Sequence, residues 1–163
     1  EAVLKNTAKP IVFALSNPTN LTEILPENAV AWTDGNVWMA TGSPFPPVAW
    51  KGKQHIIGQG NNTFVFPGIG WGVAATGART VEAEMMTDAS FALAAQVTPE
   101  RLASGAVFPP IADLMKVTDH VARAVAESAF RIGVATVSRA EMEQRLAKRD
   151  WTPAYANYEL DAG

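Results

Sequence analysis

The sequence predicts an α/β fold, in which short buried strands alternate with helices. Two apolar runs, from Ile11 to Leu15 and from Val37 to Thr41, each end abruptly in a polar break. A continuous apolar run bounded by turn residues is typical of a strand in a parallel sheet that is covered on both faces. Helical patterns lie between and after these runs, and such alternation indicates an α/β arrangement. The 163 residues are enough for one domain with its own core.

The first helices are predicted from a proline and from apolar composition. Pro26 opens a short helix that reaches Thr33, because a proline lacks the N–H that stays unpaired in the first turn. The segment from Thr63 to Ala78 is apolar nearly all round, which predicts a helix buried in a core or an interface. A further helix is expected near Val81 to Gln96. Small residues that would allow the apolar helix to pack closely are Gly68, Gly70, Gly72, Ala74, Ala75 and Gly77.

Three more helical segments are expected in the second half of the chain. Thr98 and Pro99 begin a short turn by the rules for helix starts. The segment from Ile111 to Arg131 repeats apolar residues every three, four or seven positions, and Gly133 is placed to end it. Ser138-Arg-Ala-Glu matches a capping box for a last helix that reaches residue 148. The tail "DWTPAYANYEL" is aromatic and is expected to pack on another surface.

The composition excludes several classes of function. The net charge is −3 and the basic residues are scattered, which argues against a nucleic-acid partner. There is no cysteine, so disulfides and thiolate metal sites are excluded. No apolar run reaches the roughly 18 residues of a membrane span, and the first ten residues lack the apolar stretch of a signal peptide. We therefore expect a soluble, cytoplasmic protein that binds neither nucleic acid nor membrane.

Polar residues follow both predicted strands at the place where a parallel sheet holds its ligands. Asn17 comes just after the first strand and Ser43 just after the second. Ligands gather beyond the carboxyl ends of such strands. The segment from 42 to 61 is expected to be mostly loop, and a loop of that length is usually functional. Each residue could equally form a simple turn with the proline that follows it, so both interpretations stay open.

The glycine-rich segment "GQGNNTFVFPGIGWG", from Gly58 to Gly72, does not match a nucleotide-binding loop. Its glycines fit neither the G-x-G-x-x-G spacing nor the P-loop, which needs a lysine. Asn61 and Asn62 stand before the predicted apolar helix, where a neutral amide and the helix dipole could hold a carboxylate. Alternatively, one asparagine caps the helix and the other makes a turn.

Groups that could catalyse a reaction are missing from the pattern. His55 and His120 are far apart in the sequence and are expected to be surface or core residues. Asp113, Asp119 and Glu127 fall on the polar face of a predicted helix. The sequence shows no acid–base pair, no nucleophile with its base and no metal-binding spacing. We therefore expect that this chain does not catalyse a reaction by itself.

Five sequence blocks, taken together and in order, resemble the C-terminal portion of malic enzyme, especially the bacterial NAD-dependent type. The blocks are "PIVFALSNPT", "AWTDG", "ATGSPFPPV", "GQGNNTFVFPGIGWGV" and "PAYANY". The resemblance implies the latter half of a Rossmann-like, parallel-sheet NAD(P)-binding domain, followed by C-terminal helices. It places that part of the NAD(P)-binding domain in residues 1–132, and a C-terminal helix with the aromatic tail in residues 133–163.

The resemblance also implies an activity and three site residues. Malic enzymes oxidise malate with NAD or NADP and decarboxylate the product to pyruvate and CO₂, using Mg²⁺ or Mn²⁺. By this resemblance Asn17 contacts the nicotinamide side of the cofactor and lies near malate, Asn62 binds a malate carboxylate, and Ser43 lies near the cofactor. The family's catalytic tyrosine and lysine and its metal-binding carboxylates precede the matched region, so the metal would be bound by residues outside this chain.

Two interpretations follow from the resemblance. In the first, the chain is a fragment of a malic enzyme, is inactive alone, and works with malate or pyruvate, the remainder of the enzyme chain and further copies in a homo-oligomer. In the second, the chain is a stand-alone, non-catalytic module that assembles with a full-length partner or regulates it.

Overall fold

A computed structural model describes residues 3–148 of the chain, so the aromatic tail and its expected packing lie outside the described residues. The strands are β1 (Ile11–Ala14), β2 (Trp38–Thr41), β3 (Val48–Trp50), β4 (Lys53–His55) and β5 (Gly58–Gln59). The α-helices are α1 (Pro26–Trp32), α2 (Phe66–Thr76), α3 (Ala83–Ala94), α4 (Pro99–Ala103), α5 (Leu114–Arg131) and α6 (Arg139–Ala147). Single 3₁₀ turns cover Val3–Lys5, Thr19–Leu21, Asn62–Phe64 and Ile111–Asp113.

The main sheet has three parallel strands in the order β1-β2-β5, which confirms the predicted α/β class. Ile11 pairs with Trp38 at one end of β1, and Ala14 pairs with Thr41 at the other. β5 continues the sheet by pairing Gly58 with Ala40. Because all three strands run in the same direction, their carboxyl ends meet at one edge of the sheet.

The segment from 42 to 61 contains structure that the sequence analysis did not predict. β3 and β4 form an antiparallel hairpin, and β5 adds the third strand of the main sheet. Lys51 and Gly52 form the hairpin turn with φ of 47° and 74°, the left-handed region that a two-residue turn of this kind requires. Lys-Gly lacks the asparagine or aspartate that usually signals such a turn, so the hairpin is hard to predict from sequence.

The apolar helix differs from its prediction in two ways. It begins at Phe66 rather than Thr63, because a separate 3₁₀ turn occupies the preceding residues and Pro67 lies in the first turn of α2. It is also buried on one side only: Gly68 and Gly72 face α5, whereas Phe66 and Gly70 are exposed. Of the two expected environments, a core or an interface, the side facing α5 lies in the core, and the other side is not covered by the described residues.

The core of the helical part lies between α2, α3 and α5. Val117, Val121 and Val125, which follow one another at the predicted spacing of four, are completely buried against Phe64 and Met85. This confirms the long helix from its apolar period. Its end is also as predicted, since the backbone turns left-handed just after it at Gly133.

The capping box before α6 is confirmed on its N-cap side. The hydroxyl of Ser138 accepts a hydrogen bond from the backbone N–H of Glu141 at 3.2 Å. α6 contributes Met142 to a small core with Ala75 and Ala126. The division of the chain at residue 132 into two domains stays a prediction.

The main sheet is covered by described residues on one face and only partly on the other. Val30, Val37 and Met39 form a buried cluster that packs against one side. On β1, however, Ile11 and Phe13 are 61% and 51% exposed. The expected burial of this strand on both faces is therefore incorrect within residues 3–148, because the described residues supply too little apolar surface to cover it. Within the same residues, none of the helices has the length and apolarity needed to cross a bilayer.

Candidate ligand-binding edge of the parallel sheet

The three site residues predicted from the sequence all lie where parallel strands end. Asn17 follows β1, Ser43 follows β2, and Asn62 follows β5. Backbone hydrogen bonds join the segments just beyond the strands: Gly42 N–H donates to the Ala14 carbonyl at 3.0 Å, and Gly60 N–H donates to the Thr41 carbonyl at 2.9 Å. The three polar segments therefore lie side by side along one edge, which we call the carboxyl edge.

Asn17 and Ser43 contact each other directly. The Ser43 hydroxyl donates a hydrogen bond to Asn17 Oδ1 at 2.6 Å, and Asn17 Nδ2 lies 3.4 Å from the Leu15 carbonyl oxygen. Ser43 is buried, with 8% of its surface exposed, whereas Asn17 is exposed. The Thr41 hydroxyl donates to the Ser43 carbonyl at 2.8 Å, which fixes the Ser43 backbone.

Gly42 allows these two segments to approach each other. A Cβ at this position would overlap the Leu15 carbonyl oxygen and would lie 2.9 Å from Asn17 Nδ2. Because the first obstacle is backbone, no side-chain movement could make room for it. The glycine in "ATGSPF" is therefore required by the close packing of the two strand ends.

The two asparagines before the apolar helix have different environments: Asn61 is a cap, and Asn62 has an exposed amide. Asn61 Oδ1 accepts a hydrogen bond from Thr63 N–H at 2.9 Å, so Asn61 is a cap, as one interpretation expected, but it caps the 3₁₀ turn and not the apolar helix. The Asn62 side chain is exposed and makes no hydrogen bond among the described residues. Asn62 does not stand at the start of α2, because the 3₁₀ turn separates them, so the expected help from the helix dipole is absent. Its role as a carboxylate ligand stays a prediction.

The carboxylate of Glu23 is hydrogen-bonded to Ser16, in the loop that carries Asn17. The Ser16 hydroxyl donates to the Glu23 carboxylate at 2.8 Å, and Ser16 N–H donates to the same group at 3.4 Å. The hydroxyl contact is the main reason that the pKa of Glu23 is lowered from its usual value. This contact closes the segment between β1 and α1 beside the carboxyl edge.

Two polar residues of this edge, Thr41 and Gln59, were not predicted from the sequence. Thr41 supports the Ser43 backbone, and Gln59 Nε2 lies 3.5 Å from the Gly42 carbonyl oxygen. Both end a strand of the main sheet, so their position in the strand pattern was the available signal. The histidines lie elsewhere, as expected: His55 is in the hairpin, and His120 is exposed on α5 with Nδ1 2.8 Å from the Lys116 carbonyl oxygen.

Comparisons with known proteins agree with this geometry. Residues 1–130 match the family model described as the NAD-binding domain of malic enzyme. The chain belongs to this family. The resemblance and the nucleotide-binding α/β fold expected from the sequence are thereby confirmed.

Several relatives show how much of a malic enzyme the chain matches. It is 43% identical to an NAD-dependent malic enzyme of Aeromonas salmonicida, covering 94% of this chain and 28% of the relative. It is 45% identical to one of Escherichia coli, over 94% of this chain and 27% of the relative, and 41% identical to an NADP-dependent malic enzyme of Vitis vinifera, over 97% and 27%. The crystal structure of Entamoeba histolytica malic enzyme matches with a TM-score of 0.65 and 28% identity, covering 85% of this chain and 26% of that one. The chain thus spans about a quarter of the length of these relatives.

Proposed function

We propose that this chain is part of a malic enzyme, which oxidises malate with reduction of NAD or NADP and decarboxylates the product to pyruvate and CO₂. The observation that carries the proposal is the carboxyl edge, where Asn17, Ser43 and Asn62 follow three neighbouring parallel strands in a chain of this family. The relatives include both NAD- and NADP-dependent malic enzymes, so the proposal names both cofactors.

The residues of the carboxyl edge fit the nicotinamide end of a dinucleotide and a small dicarboxylate. The edge presents neutral amides, which can hydrogen-bond a carboxamide or a carboxylate without adding a charge to the site. Asn17 would orient the nicotinamide side of the cofactor with malate close by, and Asn62 would bind a malate carboxylate. When bound, the nicotinamide supplies the hydride acceptor, and the chain's own residues position the groups that react.

The described residues do not provide a site for Mg²⁺ or Mn²⁺. Within residues 3–148, no group of three histidine, aspartate or glutamate side chains lies close enough together to hold a metal ion. We therefore assign no step to the metal through this chain. In the proposal, the metal ligands, the tyrosine and the lysine come from the remainder of the enzyme.

Asn62→Ala in the full-length enzyme tests the proposal. We expect the KM for malate to rise about tenfold or more, or kcat to fall, because one positioning hydrogen bond to a charged carboxylate is lost. Steady-state assays of NAD(P)H formation with varied malate measure this. Asn28→Ala, an exposed asparagine on α1, is the matched control and should leave both constants unchanged.

Two results would reject the assignment. Unchanged malate kinetics in Asn62→Ala would remove Asn62 from the substrate site. Metal-dependent reduction of NAD(P) by the purified 163-residue chain would show that the catalytic groups are present here, contrary to the proposal.

A stand-alone regulatory module is the alternative, and the comparisons do not favour it. The relatives cited above are named as malic enzymes and extend well beyond the matching segment. Assembly into a homo-oligomer and a cytoplasmic location also remain proposals. Gel filtration and cell fractionation of the full-length protein would test them.

A further inference from the structure

We infer that Ser43 is a positioning residue, which acts on the ligand through Asn17 and makes Asn17 a hydrogen-bond donor to that ligand. The inference rests on the proposed function. Ser43 still lies near the cofactor, as the resemblance implies, but it acts through Asn17 rather than by a direct contact of its own. The inference also states that Asn17 donates the hydrogen bond to the ligand, a direction that neither the sequence nor the comparisons provide.

The Asn17 amide lies between two neighbours, the Leu15 carbonyl and the Ser43 hydroxyl. Asn17 Nδ2 lies 3.4 Å from the Leu15 carbonyl oxygen, which can only accept a hydrogen bond. A flipped amide would place Oδ1 beside this oxygen, and two acceptors would then face each other without a proton between them. With the amide nitrogen toward Leu15 and Oδ1 toward Ser43, both contacts are hydrogen bonds, and this is the orientation that the structure has.

The hydroxyl proton of Ser43 is used in the contact with Asn17. Because Asn17 Oδ1 can only accept, the Ser43 hydroxyl must donate across their 2.6 Å contact, and its single proton is committed there. Ser43 is 8% exposed, and its carbonyl is occupied by the Thr41 hydroxyl. Ser43 therefore has no hydroxyl proton left to donate to a ligand, and its burial leaves little surface for direct contact.

The exposed Asn17 amide has N–H groups that a ligand can use. Asn17 Nδ2 carries two N–H groups, and the Leu15 carbonyl takes at most one of them, at a long distance. The amide oxygen is already engaged by Ser43. Asn17 therefore presents an N–H, and it recognises an oxygen acceptor: the carboxamide carbonyl of nicotinamide or an oxygen of malate.

A double-mutant cycle in the full-length enzyme tests whether Ser43 acts through Asn17. We expect Ser43→Ala to lower kcat/KM about five- to tenfold, the effect of one lost hydrogen bond. Asn17→Ala should lower it further, and the double variant should equal Asn17→Ala alone. Ser43→Thr keeps the hydroxyl and should restore activity to within about twofold of wild type. Ser90→Ala, whose hydroxyl bonds within α3, is the control for loss of a serine hydroxyl.

Asn17→Asp tests the polarity of the contact. Aspartate still accepts from Ser43 but replaces the donor by an oxygen, so we expect a larger loss than in Asn17→Ala. The ligand whose KM rises more, malate or NAD(P), identifies the source of the oxygen acceptor.

The outcomes separate this inference from the proposed function. If wild type oxidises malate but the two single effects multiply in the double variant, Ser43 acts independently of Asn17. This result would overturn the inference and leave the proposed function standing. A Ser43→Thr variant as impaired as Ser43→Ala, or an Asn17→Asp variant no worse than Asn17→Ala, would likewise overturn it. A wild-type enzyme that does not turn over malate would overturn both.

Discussion

The helical half of the described chain, from Phe64 to the end of α6, and the sheet half, from β1 to β5 with α1, differ in how far their apolar residues are buried. In the helical half, Phe64, Val121 and Val125 are fully buried between α2, α3 and α5. In the sheet half, Ile11 and Phe13 of β1 remain largely exposed, although Phe13 packs on Phe108 with ring centroids 5.8 Å apart. The facing sides of the three helices thus bury one another within the chain, although Phe66 and Phe91 on their outer sides stay exposed, whereas β1 keeps two of its four residues largely exposed.

The difference fits the proposal that the carboxyl edge lies in the sheet half and that this chain works with the remainder of a larger enzyme. The helical half is a self-contained support, because its helices approach closely through glycines. The sheet half carries both the exposed face and the carboxyl edge with Asn17 and Ser43. A polar edge beside an uncovered apolar face is expected of a region that meets the rest of a larger enzyme. Three experiments test this difference between the two halves.

The largest expected effect is a loss of stability when a glycine of the α2–α5 contact gains a methyl group. A Cβ at Gly72 would lie 2.5 Å from the Ala122 carbonyl oxygen and 2.8 Å from Val125 Cβ. We expect Gly72→Ala to lower the free energy of unfolding by about 3 kcal/mol, because backbone blocks the new methyl. Urea denaturation followed by circular dichroism would measure this.

Gly70→Ala is the matched control on the opposite side of the same helix. Nothing lies within 4 Å of a Cβ there, so alanine should raise stability by about 0.5–1 kcal/mol through its better helix propensity. Equal effects at the two glycines would contradict the close packing of α2 on α5.

An intermediate effect is expected on self-association of the isolated chain through the sheet face. Phe13→Ser removes exposed aromatic surface from β1 and should weaken association about tenfold, as judged by light scattering over a concentration series. Phe91→Ser on α3 is the control, since Phe91 is 72% exposed but belongs to the helical half. A stronger effect of Phe91→Ser than of Phe13→Ser would place the self-association surface on the helices instead.

The smallest effect concerns the charge beside the carboxyl edge. The Ser16 hydroxyl lowers the pKa of Glu23, so the contribution of this contact is present above the carboxyl's unfolded pKa and is lost as pH falls through its folded pKa. NMR titration should show the pKa of Glu23 below its usual value, and Ser16→Ala should raise it. The carboxylate is fully exposed, so we expect little change in overall stability. An unaltered Glu23 titration in Ser16→Ala would refute the contact.

Elements set by local pattern could be predicted from the sequence. The period of α5, the cap at Ser138 and the two apolar strands depend on residues a few positions apart. The candidate site could be predicted only in part: strand-end position pointed to Asn17 and Ser43, whereas Asn62 became a site residue through the family resemblance.

Other features were decided by the tertiary structure. The exposure of Phe13 depends on which distant segments pack on β1, and no short window of sequence shows this. The hairpin at Lys51 and the start of α2 at Phe66 are local, but Lys-Gly is an unusual turn pair and the 3₁₀ turn continues the apolar pattern, so the signal for either in the sequence is weak. The contact between Asn17 and Ser43 joins residues 26 positions apart. It exists because β1 and β2 pair in register, so that their polar ends arrive together at one edge. The sequence alone specifies which amides lie at this edge, and only the pairing of the strands brings Ser43 against Asn17 and so orients the Asn17 amide.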